Sequence, residues 1–142
     1  MKTVLITGGT RGIGLSTAIK FQQEGWVVYV TSRKQENIDA VVTDHPGLKG
    51  FAARADDLAA ASETCLKIKK ETGSLDVLIN NAGTNPSGGS LMDVELSAVQ
   101  KTWDVNLMGP LMWTREAVKA GLSESVLNVC SVGGIRPSHF MG

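Results

Sequence analysis

The sequence has no excess of charge of either sign: fourteen Lys and Arg balance fourteen Asp and Glu over 142 residues. That balance offers no global field for nucleic acid or an anionic membrane, so any anion site has to be local. Cysteine is scarce as well. Cys65 and Cys130 stand at no CxxC or metal-ligand spacing, which reads as two reduced thiols, buried as small hydrophobes, in a cytoplasmic protein. No apolar run approaches the ~20 residues of a membrane span. The opening "MKTVLITGG" carries one lysine and runs directly into glycines, as a first strand does and a signal peptide does not. Repeats and low-complexity segments are missing, and only Asn85–Ser90 has a loop-forming composition. The glycine-rich string at Thr7–Gly14 lacks the Walker A lysine, and Ser131 lies in no G-x-S-x-G elbow; these absences disfavour phosphoryl transfer and a Ser-His-Asp hydrolase. His45 and His139 lie in loops with no third ligand nearby in sequence, and read as surface histidines rather than metal ligands.

What is present is an alternation of β-branched runs with longer helical patterns. Strands are expected at Thr3–Thr7, Trp26–Thr31, Gly50–Arg54, Val77–Asn80 and Val126–Val129. Helices are expected at Gly12–Glu24, Glu36–Val42, Ala59–Thr72 and, as one long element, Ser97–Ala120. Trp26, Trp103 and Trp113 read as packing residues. The alternation predicts an α/β, Rossmann-type doubly wound parallel sheet with helices on both faces and right-handed crossovers. The length suits a single domain, residues 1–142. Ligands of such sheets bind beyond the carboxyl ends of the strands, and the unusual residue clusters of this chain fall there.

The first of these clusters is "TGGTRGIG", Thr7–Gly14, between the first strand and the first helix. Glycines at 8, 12 and 14 permit a tight turn, close backbone approach to a pyrophosphate and helix–strand packing, and the helix amino end offers N–H groups and partial positive charge. Its setting between a strand and an amphipathic helix (Ile13, Ala18, Ile19) points to a dinucleotide site. Gly8, Thr10, Arg11, Gly12, Ile13 and Gly14 are the expected contacts. Cofactor type is read at the end of the second strand, where a carboxylate would grip the ribose 2′-hydroxyl of NAD. Here the residues are Thr31, Ser32, Arg33 and Lys34. With no carboxylate there, Ser32 and Arg33 suit a 2′-phosphate, Arg11 supports them, and NADP(H) is the expected cofactor.

With "NNAG" at 80–83, "DDL" at 56–58, "DVNLMGP" at 104–110 and "NVCSVGG" at 128–134 added to the glycine loop, the chain resembles a short-chain dehydrogenase/reductase along its whole length. The resemblance implies a strand order of 3-2-1-4-5, with Asp57 and Leu58 flanking the adenine. It implies that Asn80, Asn81, Ala82 and Gly83 stabilise the central sheet and border the cofactor. Asn106 would interrupt the long helix and hold a proton-relay water, and Ser131 would bind the substrate carbonyl. The residues make chemical sense in these roles: small Ala82 and Gly83 let a flat cofactor lie against backbone, and Asn80 and Asn81 tie neighbouring loops. An amide inside a helical pattern, as at Asn106, calls for an explanation, although a solvated helix position would also supply one.

Reducing a ketone creates alkoxide character that must be protonated, and serine polarises the oxygen without being an efficient acid near neutral pH. The family uses Tyr-x-x-x-Lys, the ammonium lowering the phenol's pKa. That motif would follow the serine, past Gly142, whereas the one tyrosine here, Tyr29, lies in the second strand with Arg33 four residues on. The expectation is therefore an incomplete member of the family, ending after about the fifth strand, with an apolar sheet edge at Val126, Leu127 and Val129. Its function is expected to be NADP-dependent reduction of a small-molecule carbonyl to an alcohol, 3-oxoacyl thioesters being the favoured substrate class, by a homo-oligomer in the full-length form. The alternative is a catalytically silent NADP-binding or interaction module.

Overall fold

Every side chain of the first strand, β1 (Thr3–Ile6), is buried, because helices cover both faces of the sheet it centres. The computed structural model describes residues 1–86 and 90–136. In it β1 is flanked by β2 (Val27–Ser32), β3 (Leu48–Ala52), β4 (Leu75–Asn80) and β5 (Leu122–Asn128) in the order β3-β2-β1-β4-β5. All four pairings are parallel. Strand alternation divides the core in two. Val4, Ile6, Val28, Val30, Val77 and Ile79 meet Ala18 of α1 (Gly12–Gln23) and Ile38 and Val41 of α2 (Gln35–Asp44). Leu5, Tyr29 and Leu78 meet Ala61, Cys65 and Ile68 of α3 (Leu58–Thr72) and Trp113 and Ala117 of α5 (Gly109–Lys119). This is the doubly wound arrangement expected from the sequence. Among the described residues no helix is long and apolar enough to cross a membrane.

The expected helix over Ser97–Ala120 is two helices. After α4 (Leu96–Trp103) the chain makes a π turn over Asp104–Met108 before α5 begins. Pro110 is the cause to be read in the sequence: it lacks an N–H and cannot close an α-helical bond to the carbonyl of Asn106 four residues back. β5 starts at Leu122 rather than Val126, since pairing with β4 draws in the polar run Ser123–Ser125. β3 runs Leu48–Ala52 rather than Gly50–Arg54, and β4 begins at Leu75, the parallel ladders overriding local composition.

Three burial expectations are corrected. Trp103 is 57% exposed, because α4 buries none of its side chains, while Trp113 is fully packed. Cys130 is exposed and Cys65 buried; the former follows β5, which among the described residues has a neighbour on one side only. Ile13 is 66% exposed, so Ala18 rather than Ile13 carries the apolar face of α1. His139 lies outside the described residues.

Candidate active site

A cleft of about 770 Å³ opens at the carboxyl edge of the sheet, over the ends of β1, β2 and β4. Its floor is the turn from β1 into α1, and that turn is tied to the end of β4. The Asn81 amide donates to the carbonyls of Thr7 (3.0 Å) and Gly8 (3.1 Å). The Thr7 hydroxyl oxygen accepts from the main-chain N–H groups of Asn81 and Ala82, both at 3.1 Å. Gly8 has φ 64 and lies so close to Ala82 that an added Cβ would sit 3.0 Å from its Cα. Gly14 has no room either: its Cβ would lie 2.6 Å from the Gly8 carbonyl oxygen. Arg11, the N-cap of α1, gives no side-chain cap, so the first-turn N–H groups and the positive end of the helix face the cleft. Backbone held this closely, with donors left over, suits a pyrophosphate.

Towards β2 the cleft is cationic. Arg11, Arg33 and Lys34 line it, and among the described residues none of the three lies within ion-pair distance of a carboxylate. Ser32 lines it too, its hydroxyl oxygen accepting from the Asn37 amide at 3.1 Å. Asp44, the last residue of α2, and His45, its C-cap, also line the cleft. The wall opposite is Ala53 and Ala55, small residues that follow β3. That wall is braced from the other layer: the Trp113 indole N–H donates to the Ala55 carbonyl at 3.1 Å, and Gly109 lies against the same oxygen. Lys101, which also lines the cleft, is paired with Asp56. Asp56 also takes a two-pronged contact from Arg54. The Arg54 hydrogen bonds, helped by Lys101, hold its carboxyl well below the usual carboxylate range against the opposing effect of burial.

Towards β4 and β5 the cleft is neutral. Ala82, Gly83 and Thr84 line it. Asn106 clamps this segment, donating from Nδ2 to the Thr84 carbonyl (2.7 Å) and accepting at Oδ1 from the Thr84 N–H (2.8 Å). The side chain is thus spent on bracing the loop, while its main-chain carbonyl, in the π turn, has no N–H four residues on to receive. Ser131 sits exposed beyond β5, its hydroxyl oxygen accepting from the Gly133 N–H at 3.1 Å. Buried Asn80 joins β4 to β5 and α5 through Asn128 and Thr114.

Of the residues singled out from the sequence, Gly8, Thr10, Arg11, Gly12, Ile13, Gly14, Ser32, Arg33, Asn81, Ala82 and Gly83 line one cleft. Asp57, Leu58, Asn106 and Ser131 do not: Asp57 caps α3 through the Ala60 N–H, Leu58 opens that helix, the Asn106 side chain is bonded to Thr84, and Ser131 lies exposed beyond β5. Asn37, Ala53, Ala55, Thr84, Lys101 and Val105 line it without having been singled out. Small residues directly after β3 were the available signal for the alanines; nothing local marks Lys101, which arrives from a helix 45 residues beyond Asp56. Tyr29 is buried with its hydroxyl on Glu71 (2.6 Å) and accepting from Lys49 (3.2 Å), and is not part of the cleft. Burial, then Glu71, pushes its pKa well up.

A family model described as short chain dehydrogenase matches residues 2–142. The chain is 36% identical over 149 aligned residues to dehydrogenase/reductase SDR family member 4 of Pongo abelii, an alignment that takes in 96% of this chain and 52% of that protein. It therefore spans about half the length of the curated relatives it matches. Among solved structures, actinorhodin polyketide ketoreductase with NADPH superposes with a TM-score of 0.93 at 26% identity, covering 99% of this chain and 57% of that one. The 3-ketoacyl-(acyl-carrier-protein) reductase of Brucella melitensis, complexed with NADH, gives 0.91 at 26% identity, covering 99% and 61%. With its sheet order, its glycine turn tied to Asn81 and its broken helix at Asn106, the chain belongs to the short-chain dehydrogenase/reductase family of oxidoreductases.

Proposed function

We propose that these residues form the cofactor-binding part of an NADP(H)-dependent reductase of small-molecule ketones, with 3-oxoacyl thioesters as the favoured substrate class. The observation that carries the reading is the cationic end of the cleft, where Arg11, Arg33 and Lys34 converge without carboxylate partners among the described residues and β2 ends in Ser32 rather than an acid. The glycine turn needs Gly8 and Gly14 for its own packing, since a methyl group at either would collide with Ala82 or the Gly8 carbonyl, and it is open at Gly12, where nothing lies within 4 Å of an added Cβ. Bound there, NADP(H) supplies the hydride. The α1 amino end holds the pyrophosphate, Arg33 and Arg11 the 2′-phosphate, and Ala53 and Ala55 the adenine face, with Asp57 and Leu58 at its outer edge. Ala82 and Gly83 support the nicotinamide end.

Ser131 accepts from the Gly133 N–H, which leaves its own proton to donate to a substrate carbonyl oxygen. The Asn106 main-chain carbonyl, whose α-helical donor would be the N–H that Pro110 lacks, would hold a relay water. Relatives about twice as long leave room for further catalytic groups, and Tyr29, locked against Glu71 in the core, is not one of them. An oligomer would use the exposed apolar stripe of α4 and α5, which carries Leu96, Val99, Trp103, Leu107 and Leu111.

The test is paired titration with NADPH and NADH. The parent chain binds NADPH more tightly, and Arg33→Ala or Arg11→Ala weakens NADPH by about 1.5–3 kcal/mol with little effect on NADH. Steady-state assays against a panel of ketones should show very slow NADPH oxidation by the 142-residue chain. A chain extended through Tyr-x-x-x-Lys should restore turnover and show the loss on Ser131→Ala. Equal affinity for the two cofactors refutes the assignment, and rapid turnover by the short chain refutes the division of catalytic labour.

A further inference from the structure

We infer that Asn37 is a positioning residue for cofactor selection, acting through Ser32: it turns the Ser32 hydroxyl into a hydrogen-bond donor aimed at a 2′-phosphomonoester. The inference rests on the NADP(H) reading and adds to it an uncharged residue outside the glycine loop.

The starting point is the direction of one hydrogen bond. Asn37 Nδ2 donates to Ser32 Oγ at 3.1 Å. An amide nitrogen has no lone pair to offer in return, so the serine proton cannot go back along that contact. Among the described residues the Ser32 hydroxyl donates to no protein acceptor, and both side chains line the cleft beside Arg33 and Lys34. The pair comes from two rigid elements. Ser32 is the last residue of β2, and Asn37 lies in the first turn of α2, whose N-cap Lys34 makes no side-chain cap.

The consequence is a difference in chemistry between two ribose substituents. A 2′-phosphate carries only acceptors and takes the Ser32 proton in a charge-assisted hydrogen bond. A 2′-hydroxyl needs an acceptor for its own proton, the role a carboxylate fills in NAD sites, and here one lone pair of Ser32 is already engaged by Asn37. Arg33 and Lys34 supply charge on long side chains that need ordering, whereas the Ser32–Asn37 pair is set before the ligand arrives.

The experiment uses adenosine fragments, which report the 2′ position without involving nicotinamide or turnover. Calorimetric titration of the 142-residue chain with 2′,5′-ADP and with 5′-AMP is repeated for Ser32→Ala, Asn37→Ala, Asn37→Asp and the Ser32→Ala/Asn37→Ala double variant. Each alanine variant should lose about tenfold of the preference for 2′,5′-ADP, and leave 5′-AMP binding within about twofold. The double variant should fall no further than Ser32→Ala, because Asn37 acts only through that hydroxyl. Asn37→Asp, whose carboxylate accepts the serine proton and adds a negative charge, should lower the preference more than Asn37→Ala. A preference unchanged in Asn37→Ala, losses that multiply in the double variant, or equal weakening of both ligands would each overturn the inference, the last marking Asn37 as a mere brace of the turn. If the parent itself binds the two ligands equally, the NADP(H) reading fails and takes this inference with it; if the parent discriminates and Asn37 does not matter, only the inference fails.

Discussion

Replacing Gly14 by alanine adds one methyl group and should disable the site. The new Cβ would lie 2.6 Å from the Gly8 carbonyl oxygen and 2.4 Å from Asn81 Nδ2. The carbonyl belongs to the turn itself and cannot move without reshaping the cradle. The Asn81 amide can swing away, but only by giving up its bonds to the carbonyls of Thr7 and Gly8. Two such bonds at about 1 kcal/mol each set a loss of about 2 kcal/mol, and residual overpacking brings it to about 2–4 kcal/mol. The better helix propensity of alanine returns less than about 1 kcal/mol. A net loss of about 2–3 kcal/mol lowers Tm by roughly 5–10 °C for a chain of this size. Gly12→Ala is the control: nothing lies within 4 Å of its Cβ, and only its φ of 54 opposes substitution, at about 1–2 kcal/mol. Urea and thermal unfolding give the stabilities, which should fall further for Gly14→Ala than for Gly12→Ala, and fluorescence titration with NADPH should show a loss of affinity for Gly14→Ala. Parent-like stability and NADPH affinity in Gly14→Ala would refute the claim that this contact shapes the cradle.

Two further outcomes follow from groups away from the cleft. Asp76, at the start of β4, accepts from the Thr3 N–H (2.6 Å) and from the hydroxyls of Ser74 (2.9 Å) and Ser123 (2.7 Å), joining three strands at the amino edge of the sheet. Burial pushes its carboxyl up, but Ser123, the Thr3 amide and Ser74 together leave it below the ordinary value. A lowered folded pKa contributes stability that is fully present above the unfolded value of about 3.9 and is lost as pH falls through the folded one; acid titration of unfolding should show this loss, and Asp76→Ala should remove it while costing about 3 kcal/mol near neutral pH. The thiols should differ in kind: exposed Cys130 reacts promptly with a disulfide reagent, whereas Cys65, its pKa pushed up to about 12 by burial and then by Glu116, reacts only on unfolding. A native chain in which both thiols react at one rate would contradict the packing of α3 against the sheet.

The fold was legible because its signals are local and repeated. Alternating strand and helix patterns, with the glycine turn between the first pair, allow few topologies other than a doubly wound parallel sheet. The glycine turn and the carboxylate-free end of β2 could also be read directly, since backbone approach and charge type are properties of residues in place. Pro110 carried enough information to break the helix at Asn106, but a periodicity reading ran through it.

Other features depended on which elements meet. The start of β5 is set by its ladder with Leu75–Asn80, not by the polar residues Ser123–Ser125. The exposure of Cys130 and Trp103 reflects what does or does not cover them, which no local pattern encodes. Lys101 on Asp56, Trp113 on the Ala55 carbonyl and Asn106 on Thr84 join segments 22 to 58 residues apart. The sequence by itself determined the class of fold, the phosphate turn and the sign of charge at its far end. Only the tertiary structure decided that the wall from Ala53 to Asp56 and the π turn at Asn106 are braced by one helix pair, because long-range contacts depend on how elements pack rather than on the residues each contains.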